Sequence, residues 1–214
     1  MTEDKINEVL EMYCYLMNEV KIRTTAITQM LKGLTTTSFK STNLEFMCLQ
    51  IRKMLELISM GSLVVNKDEF DAIGQKYEQY WNARLILQDI ERLNPNFYPV
   101  AIIEVPSSRP GVIKDLQNKT SGFLTREDFV KVYEKCGKMM HANNPFGSQA
   151  DFDYYSQKIP EWEDLIIGLL NCHIIHIKGV EGFYIIHMKE EGRDDVHGYF
   201  FERVDESSKQ SDVI

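Results

Sequence analysis

The residues best suited to chemistry lie in segment 126–141, Arg-Glu-Asp-Phe-Val-Lys-Val-Tyr-Glu-Lys-Cys-Gly-Lys-Met-Met-His, followed by Ala142, Asn143 and Asn144. Phe129, Val132, Tyr133, Cys136 and Met140 recur at helical spacing, which predicts a helix with one apolar stripe. At about 100° per residue, His141 projects beside Glu134 and Lys138, well off that stripe. Imidazole suits proton transfer near neutral pH. His141, Lys138, Asn143 and Asn144 therefore form a candidate site for general acid/base chemistry or phosphate contact. Lys131, Lys135 and Lys138, at i, i+4 and i+7, make a basic stripe that ends beside His141. The same residues also have a structural reading. A histidine at a helix C-terminus is favoured by the dipole, and Glu134 and Lys138 are spaced for an i,i+4 ion pair.

Four of the five histidines fall further on, at His173, His176, His187 and His197. The segments 173–178, 183–189 and 196–204 alternate with a period of two and predict a three-stranded antiparallel meander. A turn at 179–182 sets Lys178 opposite Phe183. Ile174, His176, Lys178, Phe183, Ile185 and His187 then share one face. The more apolar set His173, Ile175, Ile177, Tyr184, Ile186 and Met188 faces the core. His176 and His187 become diagonal neighbours, about 7 Å apart at the backbone. Two ligands without a third do not complete a zinc site, so neither a metal nor another cofactor is expected. No Gly-x-Gly-x-x-Gly, Gly-Lys-Ser/Thr or Gly-x-Ser-x-Gly run occurs, which excludes the common nucleotide-hydrolase and esterase templates. Cys14, Cys48, Cys136 and Cys172 are isolated and read as free thiols, the first three on apolar helix stripes.

The elements that must position these residues are mostly helical. Apolar spacing predicts helices from Ile6 to about Leu31, from Ser41 or Thr42 to about Asn66, and from Lys67 to Leu93. Phe70, Ile73, Tyr77, Tyr80, Trp81, Leu85 and Ile86 form the apolar side of the third. The first two should pair antiparallel through their short linker. Pro95, Pro99, Pro106 and Pro110 mark 94–124 as a long ordered connection or lid. Thr125, with Asp128 three residues on, reads as an N-cap with a near capping box. A further helix is expected over 160–171, with Pro160 in its first turn. The reading is α+β: a helical bundle over 1–145, a helix plus meander over 146–204, and a polar tail over 205–214. The chain of 214 residues is 43% hydrophobic and 26% charged, with a formal net charge of -8. That composition is globular, and its charge argues against general capture of nucleic acid or anionic membrane. The acidic start lacks a signal-peptide pattern and the apolar runs are too short to span a membrane, so a soluble cytoplasmic protein is expected.

The run 45–58, with Arg52-x-x-x-Glu56 inside an apolar stripe, resembles the corresponding helix of HEPN-type domains. The segment from Tyr133 to His141-Ala142 resembles the later helix of that superfamily, which ends in its signature histidine. The resemblance covers 1–145. It implies a bundle of four or five helices, usually a homodimer, and in many members a metal-independent ribonuclease of stress, toxin–antitoxin or phage-defence systems. The family's motif sets four to six residues between an arginine and the histidine. Here those positions hold Glu134, Lys135 and Cys136, so the resemblance transfers the catalytic role to His141 and the phosphate-stabilising charge to Lys138 or Lys135. On a regular helix Lys135 points about 120° from His141. RNA or a nucleotide is the implied ligand. The competing reading is a non-catalytic dimeric interaction or regulatory module that binds a protein partner through the meander.

Overall fold

A computed structural model describes residues 2–67, 82–142, 146 and 149–202. Helix α1, Glu3–Leu31, and helix α2, Lys40–Val65, form an antiparallel pair in which Tyr13, Met17, Val20 and Ile27 pack on Ile51, Met54, Leu55 and Ile58. The crossing is close because Gly61 offers no side chain: a Cβ there would lie 2.9 Å from the Tyr13 ring. Helix α3 is Ala83–Leu93, capped by the Asn82 side chain, which accepts from the amides of Arg84 and Leu85. Its buried side, Ala83, Ile86, Leu87 and Ile90, lies on α2. Asn82 has extended backbone, so the expected helix over 67–93 is not continuous through that residue. Leu85 is exposed rather than on the apolar side. Phe70, Ile73, Tyr77, Tyr80 and Trp81 lie outside the described residues.

The Pro-rich connection is a β-hairpin. Strand β1, Val100–Pro106, pairs antiparallel with β2, Lys114–Asn118. The prolines do not oppose this arrangement. Pro99 precedes β1, Pro106 ends it and Pro110 lies in the turn, all places where a missing amide removes no interior ladder bond. Helix α4, Arg126–Met139, then starts at Thr125, whose hydroxyl accepts from the Asp128 amide as the sequence predicts. Arg126 reaches Glu91 in a bidentate pair that ties the start of α4 to α3. Helix α5 is Phe152–Leu170, much longer than the expected 160–171, and Pro160 lies inside it. Asp151 caps it by accepting from the Tyr154 amide, and burial of Tyr155, Ile159 and Trp162 holds its first half helical despite the proline. Gly168 lets the backbone entering α4 lie against α5, since a Cβ there would sit 1.9 Å from the Gly122 carbonyl oxygen.

Strands β3, Cys172–Ile175, β4, Phe183–His187, and β5, His197–Phe201, form the expected meander, but the sheet has five antiparallel strands. Its order is β2-β1-β3-β4-β5. The protein is thus α+β, and both the sheet and the main apolar core draw on residues from 1–145 and from 146–204. The β3–β4 pairing differs from the expected one by two residues. Cys172 faces His187 and Ile174 faces Ile185, so the connection spans 176–182. A slip of two preserves the side-chain faces. His173, Ile175, Tyr184 and Ile186 do point into the core. All four cysteines are free. Among the described residues, no helix is long and apolar enough to cross a membrane.

His173 fastens the sheet to the helices. It is fully buried, and its Nδ1 lies 2.7 Å from the Leu170 carbonyl, which can only accept. Nδ1 therefore carries the proton. Nε2, 2.8 Å from the Tyr13 hydroxyl, accepts from it. Burial away from water lowers the imidazole pKa from its ordinary 6.5 to about 4. The unfolded chain binds this proton more readily, so the contribution of His173 to stability is full above pH 6.5 and is lost as pH falls toward 4. The loss amounts to at most about 3 kcal/mol. Urea titrations at stepped pH should show stability dropping across that window. A His173→Gln variant should be less stable at pH 7 and show a flatter dependence, and equal slopes in the two proteins would contradict the account.

Candidate functional site

The end of α4 is placed by an arginine beneath it. Arg52 pairs with Glu56 one turn on (3.3 Å), donates to the Tyr133 hydroxyl (2.6 Å) and sits 3.9 Å from the centre of the Tyr133 ring. Tyr133 in turn donates to Glu56 (3.3 Å). The guanidinium fits because residue 137 is glycine: a Cβ there would stand 2.6 Å from Arg52 Nη1. The Arg-x-x-x-Glu of α2 is therefore an ion pair spent on helix packing, which leaves Arg52 committed to Tyr133.

His141 follows the last turn of α4, exposed and with no side-chain partner among the described residues. It borders a cavity of about 420 Å³ between the end of α4 and the start of α5, lined also by Lys135, Lys138, Gln149, Asp151 and Tyr154. The expected Glu134–Lys138 pair is not formed. Glu134 turns instead to Arg84 on α3 (3.6 Å), which leaves Lys138 unpaired among the described residues. Lys135 does not point away from the site. Its ammonium lies 5.0 Å from the centre of the Tyr154 ring, and that attraction brings it onto the cavity wall. The Tyr155 hydroxyl donates to the Lys135 carbonyl (2.9 Å), and burial raises that phenol to about 12. Lys131 is not part of the site: it pairs with Asp128 (2.8 Å) and does not line the cavity. Asn143 and Asn144 lie outside the described residues.

The cavity thus brings together an unpaired imidazole and two ammonium groups. That set can neutralise a phosphate through two point charges and move a proton beside it. The N-terminus of α5 already holds a carboxylate, because Asp151 accepts from the Tyr154 amide.

A second cluster lies on the outer face of the sheet. Glu104 of β1, Cys172 of β3, His187 of β4, Glu190 and His197 of β5 fall in two overlapping groups of three, each with donor atoms within 4.8 Å of one another. The expected neighbour His176 is absent from it, because the observed register brings His176 beside Phe183, with ring centres 6.2 Å apart. Cys172, Glu104, Glu190 and His197 escape sequence reasoning. Glu104 comes from a segment read as a connection, and Cys172 meets His187 only in the shifted register. The one available signal was the alternation in 183–189 and 196–204, which puts His187 and His197 on facing strands.

The chain matches no family model, no curated protein and no solved structure in the comparisons made.

The Arg52–Gly137 contact predicts a change of sign. In the native chain Gly137→Ala gains helix propensity of about 1 kcal/mol but displaces the guanidinium, so the net change should be near zero or destabilising. In an Arg52→Ala background the same substitution should stabilise by about 1 kcal/mol. Urea denaturation of the four proteins measures the coupling, and identical effects in both backgrounds would contradict the packing described.

Proposed function

We propose that the chain is a HEPN-like, RNA- or nucleotide-related protein whose working site is the cavity at the end of α4. In its catalytic form it cleaves RNA without a metal. His141 exchanges the proton of the attacking ribose hydroxyl or of the leaving oxygen, and Lys138 and Lys135 hold the phosphate. The observation that carries this reading is that His141 and Lys138, neither with a side-chain partner among the described residues, share one cavity wall with Lys135. Lysine in place of arginine gives point charges where the family pattern supplies a bidentate fork, so the expected turnover is slow. One imidazole cannot be both base and acid in a single step. A homodimer that pairs two copies of His141 would supply both, in the cytoplasmic stress or defence setting the family suggests.

The test is incubation of the full chain with mixed RNA in excess chelator. Cleavage should fall by about 100-fold or more in His141→Ala, and RNA binding should weaken in Lys135→Ala/Lys138→Ala. Binding without cleavage would mark a degenerate, binding-only relative. Neither cleavage nor binding that depends on these lysines would overturn the proposal.

A second reading, a dimeric interaction module, has its own support. Met12, Tyr15 and Ile22 are exposed on one side of α1, within an arc of about 80° at helical spacing. Sedimentation should then show a dimer that Tyr15→Lys dissociates while leaving RNA binding per chain unchanged.

A further inference from the structure

The outer face of the sheet carries side chains that the helix-end site does not use, and their arrangement is hard to explain as ordinary surface. His187 and His197 stand directly opposite on β4 and β5, both buried, with rings nearly parallel (21°) and centres 5.7 Å apart. His197 Nδ1 lies 2.9 Å from the Asp195 carbonyl oxygen. That oxygen can only accept, so Nδ1 holds the proton and Nε2 presents a lone pair in the neutral ring. Nε2 is 3.1 Å from a Glu190 carboxylate oxygen, which is itself an acceptor. His187 Nε2 lies 3.4 Å from Glu104 and 3.8 Å from the Cys172 sulfur. Acceptors facing one another at these distances need a cation between them, either protons on the rings or a metal ion.

We propose that this cluster binds one divalent ion of the zinc class, held by His187, Glu190 and His197, whose donor atoms all lie within 4.8 Å of one another, with water taking the fourth position. Imidazole donors select zinc-like ions over magnesium or calcium. Zinc bonds of about 2.0–2.3 Å set tetrahedral donors about 3.3–3.8 Å apart. The His197–Glu190 separation of 3.1 Å is close to that spacing, and a His187 ring nitrogen lies within 4.8 Å of both donor atoms. Glu190 is the carboxylate of choice because Glu104 is already neutralised by Lys114 at 2.5 Å. The supporting contacts are those a ligand shell requires. The Asp195 carbonyl fixes the His197 tautomer, and the Tyr199 hydroxyl donates to Glu190 (2.9 Å) and orients it. Cys172 groups with Glu104 and His187 and not with Glu190 and His197, and burial with the neighbouring carboxylates pushes its thiol up to about 11, so it stays outside the donor set. The ion would tie β4 and β5 together at the end of the sheet. This site is separate from the α4 cavity and stands whether or not RNA is a ligand.

The full chain, stripped with chelator and dialysed, is titrated with Co(II) and then with Zn(II). One equivalent of Co(II) should give the visible bands of a tetrahedral site, and Zn(II) should displace it. His187→Ala and His197→Ala should each weaken binding by about 100-fold or more. Cys172→Ser should leave the Co(II) spectrum unchanged. Glu190→Gln, which keeps the side-chain shape, should weaken binding with unchanged circular dichroism. His176→Gln, in the connection between β3 and β4 and outside the cluster, should bind as the native chain does. No Co(II) spectrum in the native chain at tenfold excess would overturn the proposal and leave His187 and His197 as partners of carboxylates only. Binding that survives both histidine replacements would overturn it equally.

Discussion

A single buried imidazole sets the geometry on which the rest of the molecule depends. His173 donates from Nδ1 to the end of α5 and accepts at Nε2 from Tyr13 in the middle of α1, so one side chain joins two helices to β3. Both polar contacts form without access to water, where an unmet hydrogen bond costs most. This constraint also fixes which way the sheet faces. Strand side chains alternate, so His173 turned inward obliges Cys172 and Ile174 to turn outward. Pairing then carries that choice across to Ile185 and His187 on β4, and to His197 and Tyr199 on β5. The polar cluster on the outer face follows from the inward placement of one residue.

The helices build the other site by a different device. Arg52 lies in the crossing of α2 and α4, held by Tyr133 and Glu56 and admitted by Gly137. The crossing determines where α4 ends, and therefore where His141 emerges. The contacts of α3 act in the same direction, because Arg84 draws Glu134 away from Lys138 and leaves that ammonium for the cavity. The acidic chain, with its net charge of -8, thus concentrates positive charge where α4 meets α5, while the sheet face gathers carboxylates, a thiol and two imidazoles. One site is suited to an anion and the other to a cation.

The sequence made the helices at 6–31, 41–66 and 126–141 legible because their apolar stripes are long and regular, and Thr125 announces its cap. It also made the inward face of 173–188 legible, since face depends only on alternation. Register was not legible: it rests on where the 176–182 connection closes, which no local pattern fixes. The hairpin at 100–118 was hidden by prolines that sit at strand ends and in the turn, and the first half of α5 by Pro160, whose cost is met by burial of Tyr155 and Trp162. At the helix end, spacing found His141 and Lys138. It misplaced Lys135, which Tyr154 from α5 draws in, and it included Lys131, which Asp128 draws off. The sheet cluster was least legible because β1 arrives from a segment some 70 residues before β3, and strand order across that distance is a tertiary fact.

The central proposal is that this chain binds phosphate through His141 and its cavity and not on the sheet. Histidine-resolved NMR of the full chain during titration with a 3′-ribonucleotide tests it most directly. The account predicts that the His141 ring signals move with saturable dependence on nucleotide while those of His173, His176, His187 and His197 stay in place. Movement of the sheet histidines with His141 unaffected, or no movement at all, would contradict it.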